Sequence, residues 1–414
     1  MSNWFTINSL QALGILFTCG YFGGQFANWL KFPRVSGYIL AGILLSPSLS
    51  GLIPEELIKD RFSIVIDISL AIIAYSIGGS LKLSRLKQLG KSIFWVTVSQ
   101  ALGAFFLSFI LIMPLGFFNL NFPLPNASFW EVYLPLALII GAVSTATAPA
   151  AVLAIVHEYK ARGPLTTTLL GVVALDDGIA IIFYSFAMSI AGALMKVGDN
   201  SIFYQMTVEP LLIISGSILL GALFGCFITG LACWVKKKGS LLVLILGGIL
   251  LCTGIAEQIK LSPLLANMMV GFYVVNRAKH SEALFQTVEN IEEPIFALFF
   301  TLAGAHFDLA VIRMAGFLSL LIVVGRFSGK LLGTKLGAGF SHAPLVVKKY
   351  LGYALLPKAG VTIGLILLAE SLMEPQVGEI MVNAVLGSVI INELIAPPLV
   401  KFALKGADEI AQEE

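Results

Sequence analysis

Residues 172–181 read VALDDGIAII, and the adjacent Asp176 and Asp177 lie in an apolar run bounded by Arg162 and Lys196. About 20 apolar residues cross the hydrocarbon core of a bilayer, and this run is long enough, with the pair near its midpoint. Carboxylates at that depth are costly and mark an ion path or a proton relay unless partners neutralise them. A carboxylate facing a water-filled cavity can hold either a proton or a hard alkali cation on the same oxygens. Mutually exclusive occupancy of that kind is the physical basis of exchange.

Three basic residues within other apolar runs offer neutralisation. Arg326 and Lys330 in VVGRFSGKLLG stand four apart and share a helix face, and Lys358 stands in LLPKAGVTIGL. Adjacent helical residues project about 100° apart, so Asp176 and Asp177 cannot face one partner. The economical arrangement pairs one carboxylate with a lysine and turns the other toward the cavity. A purely structural ion-pair network is the competing reading. Ser144, Thr145 and Thr147, with backbone carbonyls freed at Pro149, are placed to complete the shell of a cation such as Na+ held by Asp176 and Asp177.

Those residues must be positioned by membrane helices. Of 414 residues, 57% are hydrophobic and 12% charged, with a mean hydropathy of +0.92. A soluble domain carries roughly 25% charged residues, so the chain reads as an integral membrane protein. A net charge of +2 points to no nucleic-acid partner. Cys19, Cys226, Cys233 and Cys252 sit in apolar runs without ligand spacing, and no cofactor is expected. No basic n-region precedes the first apolar run, so no cleaved signal peptide is expected.

About thirteen apolar segments emerge, near residues 8–30, 35–46, 62–79, 92–117, 131–156, 164–195, 207–235, 239–259, 262–276, 290–305, 309–338, 346–371 and 378–404. With the N-terminus outside, one set of loops holds most of the Lys and Arg, including Lys82, Arg85, Lys160, Arg162, Lys236, Lys237, Lys238, Lys348 and Lys349. The opposite set holds only Lys59, Arg61, Lys196, Lys260 and Arg313. That asymmetry places the C-terminus inside. Segments 1–6 and 8–13 form two candidate inverted halves joined by segment 7. The fifth helix of each half carries a breaker: STATAPAAV with Pro149, and LLPKAGVTIGL with Pro357 and Gly360. Paired interruptions at corresponding positions point to a transporter's binding site.

At this point the chain resembles the monovalent cation:proton antiporter-2 family of Na+(K+)/H+ exchangers over nearly its whole length. The likeness rests on FPRVSGYILAGILLSPS, then TATAPAA, EYKARGP and LDD in order and spacing, then SPLLANMMVGFYVVN, PIFALFFTLAGAHFDL and GRFSGKLLG. The resemblance implies an all-α fold in which crossed, broken helices 5 and 12 lie in a mobile core. It divides the chain into scaffold helices 1–3 (1–91), core helices 4–6 (92–206), linker helix 7 (207–238), scaffold helices 8–10 (239–307), core helices 11–13 (308–404) and a cytoplasmic tail (405–414). The scaffold is the part that makes a homodimer. Carried over, Asp177 is the principal cation and proton carboxylate, Asp176 pairs with Lys330, and Thr147 fills the polar position in the break. Two aspartates, rather than Asn-Asp, resemble the electrogenic branch. Two departures stand out: Ala148, where some relatives carry an aspartate, and Lys358-Ala359-Gly360, where others carry Arg-Gly-Glu or Gln-Ala-Gly.

An intramembrane aspartyl protease needs two carboxylates about 3 Å apart on one water, which neighbours on one helix do not provide. A channel would call for a ring-forming filter. The expectation is therefore a non-enzymatic secondary antiporter that exchanges Na+ or Li+ for protons in the plasma (bacterial inner) membrane, in contact with lipid. K+/H+ exchange is the alternative within the family, and a Na+-coupled solute symporter is the alternative outside it.

Overall fold

The computed structural model describes residues 7–30, 34–84, 90–116, 128–148, 151–152, 155–156, 159–195, 208–235, 238–279, 281–307, 312–358 and 361–410. Pro149, Ala359 and Gly360 therefore lie outside the described residues, as do Arg85, Lys196, Lys236 and Lys237. The helices in chain order are α1 (Ser9–Trp29), α2 (Arg34–Leu45), α3 (Ser63–Ser80), α4 (Gly90–Ile112), α5 (Leu134–Val143), α6 (Pro164–Met195) and α7 (Glu209–Ala232). They continue as α8 (Lys238–Gln258), α9 (Pro263–Arg277), α10 (Ser281–Ala305), α11 (Ile312–Phe340), α12 (Leu345–Ala354), α13 (Val361–Glu370) and α14 (Pro375–Gly406). No strand occurs among the described residues. Six of these helices hold stretches of 18 residues or more that are apolar enough to cross a membrane. The protein is a multi-pass integral membrane protein, and each apolar segment of the sequence has its helix or pair of half-helices.

Segment 10 differs from its expected bounds. An apolar window starts it near residue 290, yet α10 begins at Ser281 and carries Glu282, Glu289, Glu292 and Glu293 in its first half. Amphipathic helices bury one stripe and solvate the other, and here Leu284, Thr287 and Val288 form the buried stripe. Glu292 accepts a hydrogen bond from Ser76 of α3, and Glu293 pairs with Arg34 of α2. Hydropathy averaging cannot see a helix whose polar face is anchored in this way.

Packing follows from where side chains are smallest. Gly325, Gly329, Gly333 and Gly337 recur every fourth residue on α11 and form one stripe. A methyl group at Gly329 would collide with the carbonyl of Gly103 on α4, and one at Gly333 with that of Ser99. Small residues at such a seam let two backbones approach closely in a membrane. α4 and α11 accordingly pack along their lengths, which brings Gln100 of α4 to Lys330 of α11. α6 leans on α4, α5 and α12, and α14 covers α11, α12 and α13.

Segments 5 and 12 are each interrupted. α5 ends at Val143, Ser144 N and Thr145 N still bond back to Ile140 O and Ala142 O, and residues 146–148 lie outside any helix. α12 ends at Ala354, and α13 resumes at Val361. Pro357 has no amide hydrogen and disfavours helix in the residue before it. Irregular backbone at membrane depth survives only inside protein or beside water, and Ser144, Thr145, Ala146 and Thr147 are fully buried. The two breaks bond to each other. Ala148 N donates to Pro357 O at 3.0 Å, and the Thr362 hydroxyl donates to Val143 O at 3.3 Å.

The glycine seam is testable. Gly329→Ala should lower stability by about 1–3 kcal/mol through overpacking, read as a drop in melting temperature in detergent. Gly316→Ala, on the same helix but with open space around it, should melt like the unaltered protein.

Candidate functional site

Asp176 and Asp177 sit about three turns into α6, 0% and 6% exposed. Their divergence gives them different surroundings. Asp176 Oδ1 accepts from Gln100 Nε2, and Oδ2 accepts from the Thr147 hydroxyl and from Lys330 Nζ at 3.0 Å. Lys330 also donates to Gln100 Oε1 at 2.7 Å and to Thr147 Oγ1 at 2.5 Å, so its three protons are all engaged. Gln100 Nε2 makes a further bond to Thr97 O at 3.0 Å. Every member of this network is fully buried. A buried ion pair stands only when its remaining lone pairs and protons are bonded, and here α4, α6, α11 and the break after α5 each supply a part.

Asp177 is the contrast. Its Oδ1 is buried and has no hydrogen-bond partner among the described residues. An orphaned buried carboxylate oxygen calls for an explanation, and a proton or a cation would supply it. α6 continues into the wall of a cavity of about 640 Å³, lined by Tyr184, Ser185 and Ser189 of that helix with Asp67 of α3 and Glu257 of α8. Tyr184 lies about two turns beyond Asp177 on the same face, and Asp67 stands in the cavity wall.

Arg326 has a different role from Lys330. Its guanidinium donates to Leu356 O at 2.6 Å, Ala146 O at 2.7 Å and Pro357 O at 3.2 Å. Helix C-terminal ends leave carbonyls without intrahelical donors and carry partial negative charge. One planar cation thus serves the ends of α5 and α12 together. Lys358, 2% exposed, donates to Ser388 Oγ of α14 at 2.6 Å and makes no ion pair among the described residues. The hydroxyls of Ser144 and Thr145 bond back to Ile140 O and Ala142 O, each at 2.7 Å. The structure therefore brings Thr147 to the Asp176–Lys330 pair and keeps Ser144 and Thr145 on the carbonyl end of α5. Sequence reasoning passed over Gln100, although an amide in the apolar run IFWVTVSQALGAFF was the available signal.

Comparison with known proteins bears on the fold and the family. Residues 13–404 match the family described as "Sodium/hydrogen exchanger, transmembrane". The chain is 23% identical to the high-affinity Na+/H+ antiporter NhaS3 of Synechocystis sp., over 96% of this chain and 90% of that one. It is 25% identical to the Na+/H+ antiporter NhaP of Pseudomonas aeruginosa over 42% of each. The solved structure of the sodium proton antiporter MjNhaP1 of Methanocaldococcus jannaschii at pH 8 shares the fold, with a TM-score of 0.77 at 18% identity, covering 97% of this chain and 99% of that one.

The pairing predicts a specific thermodynamic pattern. Lys330→Ala strands a buried carboxylate and should cost about 3–5 kcal/mol of stability. The double variant Lys330→Ala/Asp176→Ala should recover much of that loss, since contacting residues are not additive. Melting temperatures of the unaltered protein, Lys330→Ala, Asp176→Ala and the double variant check it, and simple additivity would mean that the two side chains do not interact.

Proposed function

The chain belongs to the sodium/hydrogen exchanger family, and from that footing we propose that it is a Na+/H+ antiporter in which cation and proton compete for Asp177. The observation that carries this reading is the asymmetry of the pair. Asp176 is saturated by Lys330, Gln100 and Thr147, while Asp177 keeps a buried oxygen without a partner.

The family is one of transporters, and the cycle follows from the residues. With Asp177 ionised and open to one side, a small cation enters past the polar groups of the cavity wall, Asp67 and Ser185, and takes the carboxylate as a ligand. Thr147, and the second lone pair of a break carbonyl such as Ala146 O whose first is taken by Arg326, stand ready to replace its water. The core then moves relative to the scaffold, protons arriving from the other side displace the ion, and the neutral site returns. Asp176 and Lys330 add a second titratable unit. A lysine can hand over its proton where an arginine cannot, and this supports more than one proton per Na+, hence electrogenic exchange. Li+, smaller and harder, suits the same oxygen ligands.

The division into scaffold and core draws support from packing. α1, α2 and α10 cluster together, as do α3, α7, α8 and α9, while α4, α5, α6, α11, α12 and α14 form the unit around the breaks. On this reading the first two groups are the scaffold and its linker, the homodimer forms through the scaffold, and the basic loops face the cytoplasm from the plasma membrane.

Proteoliposomes loaded with a pH-sensitive dye test the proposal. Na+ and Li+ should drive proton movement in the unaltered protein, with K+ added in parallel to rank the cations. Asp177→Asn should fold and insert yet lose exchange entirely. Robust exchange by well-folded Asp177→Asn protein would overturn the assignment.

A further inference from the structure

The residues just beyond α14, 407–410, include the acidic Asp408 and Glu409, yet they are built against the helix that carries the aspartates. α14 ends at Gly406, and the chain reverses through Asp408, whose φ of 59° lies in the left-handed region that aspartate tolerates better than most residues. The reversal delivers Glu409, 7% exposed, to the N-terminus of α6. Its carboxylate accepts from Leu165 N, Thr166 N and the Thr166 hydroxyl, each at 2.7 Å. Its carbonyl accepts from Arg162 N at 3.0 Å. Ala407 and Ile410 on either side pack onto a buried cluster that includes Leu165, Leu169, Val156 and Ala403.

This is a helix cap supplied from a distance. The first N–H groups of any helix have no partner within it, and a side-chain oxygen at the N-cap usually serves them. At α6 the residue before Pro164 is Gly163, which has no side chain, and a methyl group there would collide with the Glu409 carboxylate. The glycine makes room, and a negative charge arrives where the helix dipole favours one.

We propose that Glu409 is a positioning residue for exchange, pinning the inner end of the aspartate helix α6 to α14. The proposal rests on the antiport reading of Asp177. α6 is tied to the core at Asp176 through Lys330 and at Leu165–Thr166 through Glu409, about 16 Å apart along the helix. Two ties at different heights add to the packing of α6 on α4, α5 and α12 in fixing its tilt. When a cation engages the aspartates and the Asp176–Lys330 bond rearranges, the Glu409 tie is what keeps α6 in register with α14. That helix also holds Ser388 against Lys358 in the segment 12 break, and Lys401 over the Tyr159 ring at 4.7 Å. Glu409 therefore acts on the moving step and not on the affinity of the ion site.

The test uses full-length protein in lipid nanodiscs and in proteoliposomes, with Glu409→Ala, Glu409→Gln and, as a neighbouring-charge control, Asp408→Asn. In Glu409→Ala the amides of Leu165 and Thr166 should exchange with deuterium about tenfold faster, the scale of a lost cap. Its maximal Na+-driven rate should fall by a similar factor while half-saturating Na+ stays within about twofold. Glu409→Gln, which keeps one acceptor oxygen, should fall between, and Asp408→Asn should match the unaltered protein in every measurement. Unchanged amide exchange in Glu409→Ala would overturn the pin. Faster amides with an unchanged maximal rate, or a shift in half-saturation alone, would overturn its role in the moving step. Failure of the unaltered protein to exchange Na+ for protons would remove the antiport reading and any transport role for Glu409, and amide exchange would still decide the pin.

Discussion

A lysine and an aspartate facing each other in the middle of a membrane protein set the terms for everything around them. Removing two charges from water costs several kcal/mol per ion, and the attraction between them offsets that only with well-placed additional bonds. Lys330 and Asp176 satisfy the condition by sharing Gln100 and Thr147. The demand then spreads outward. Gln100 reaches the pair because a glycine stripe on α11 lets α4 come close, and Thr147 reaches it because segment 5 is not helical there. Asp177, one residue further and turned away, is left as the member of the aspartate pair whose charge no ion pair balances.

The breaks that admit Thr147 raise their own electrostatic problem. Two half-helices end deep in the protein, each exposing carbonyls, and a second buried cation answers both. Arg326 spans Ala146 O on one side and Leu356 O and Pro357 O on the other. A guanidinium suits this work because its planar fork presents five donors and its charge is permanent. Lysine stands beside the aspartate and arginine beside the carbonyls, so the two basic residues one turn apart on α11 divide a titratable task from a fixed one.

Much of the frame was legible in the chain. Apolar runs of membrane length, the loop charges and the paired breakers at Pro149 and Pro357 give an all-helical transporter with two interrupted helices. Asp176, Asp177 and Lys330 announce themselves because charge in an apolar run needs a reason. The parts that escaped share one property, dependence on contacts that no local pattern records. Gln100 meets Asp176 across 76 residues, Arg326 meets Ala146 across 180, and Glu409 caps α6 across 244. The early start of α10 was hidden because Glu293 of its acidic face is paired with Arg34 and Glu292 accepts a hydrogen bond from Ser76, both on other helices. Periodicity reports what a segment buries, whereas the partner that makes a buried polar group tolerable is known only once the chain has folded.

Competition between cation and proton at the Asp177 carboxylate is the centre of this account, and calorimetry reads it without any transport step. Na+ would be titrated into purified protein in buffers of different ionisation enthalpy across a range of pH. The account predicts that each Na+ bound releases protons to the buffer and that apparent Na+ affinity weakens steadily as pH falls. Binding with no proton release and an affinity independent of pH would contradict it.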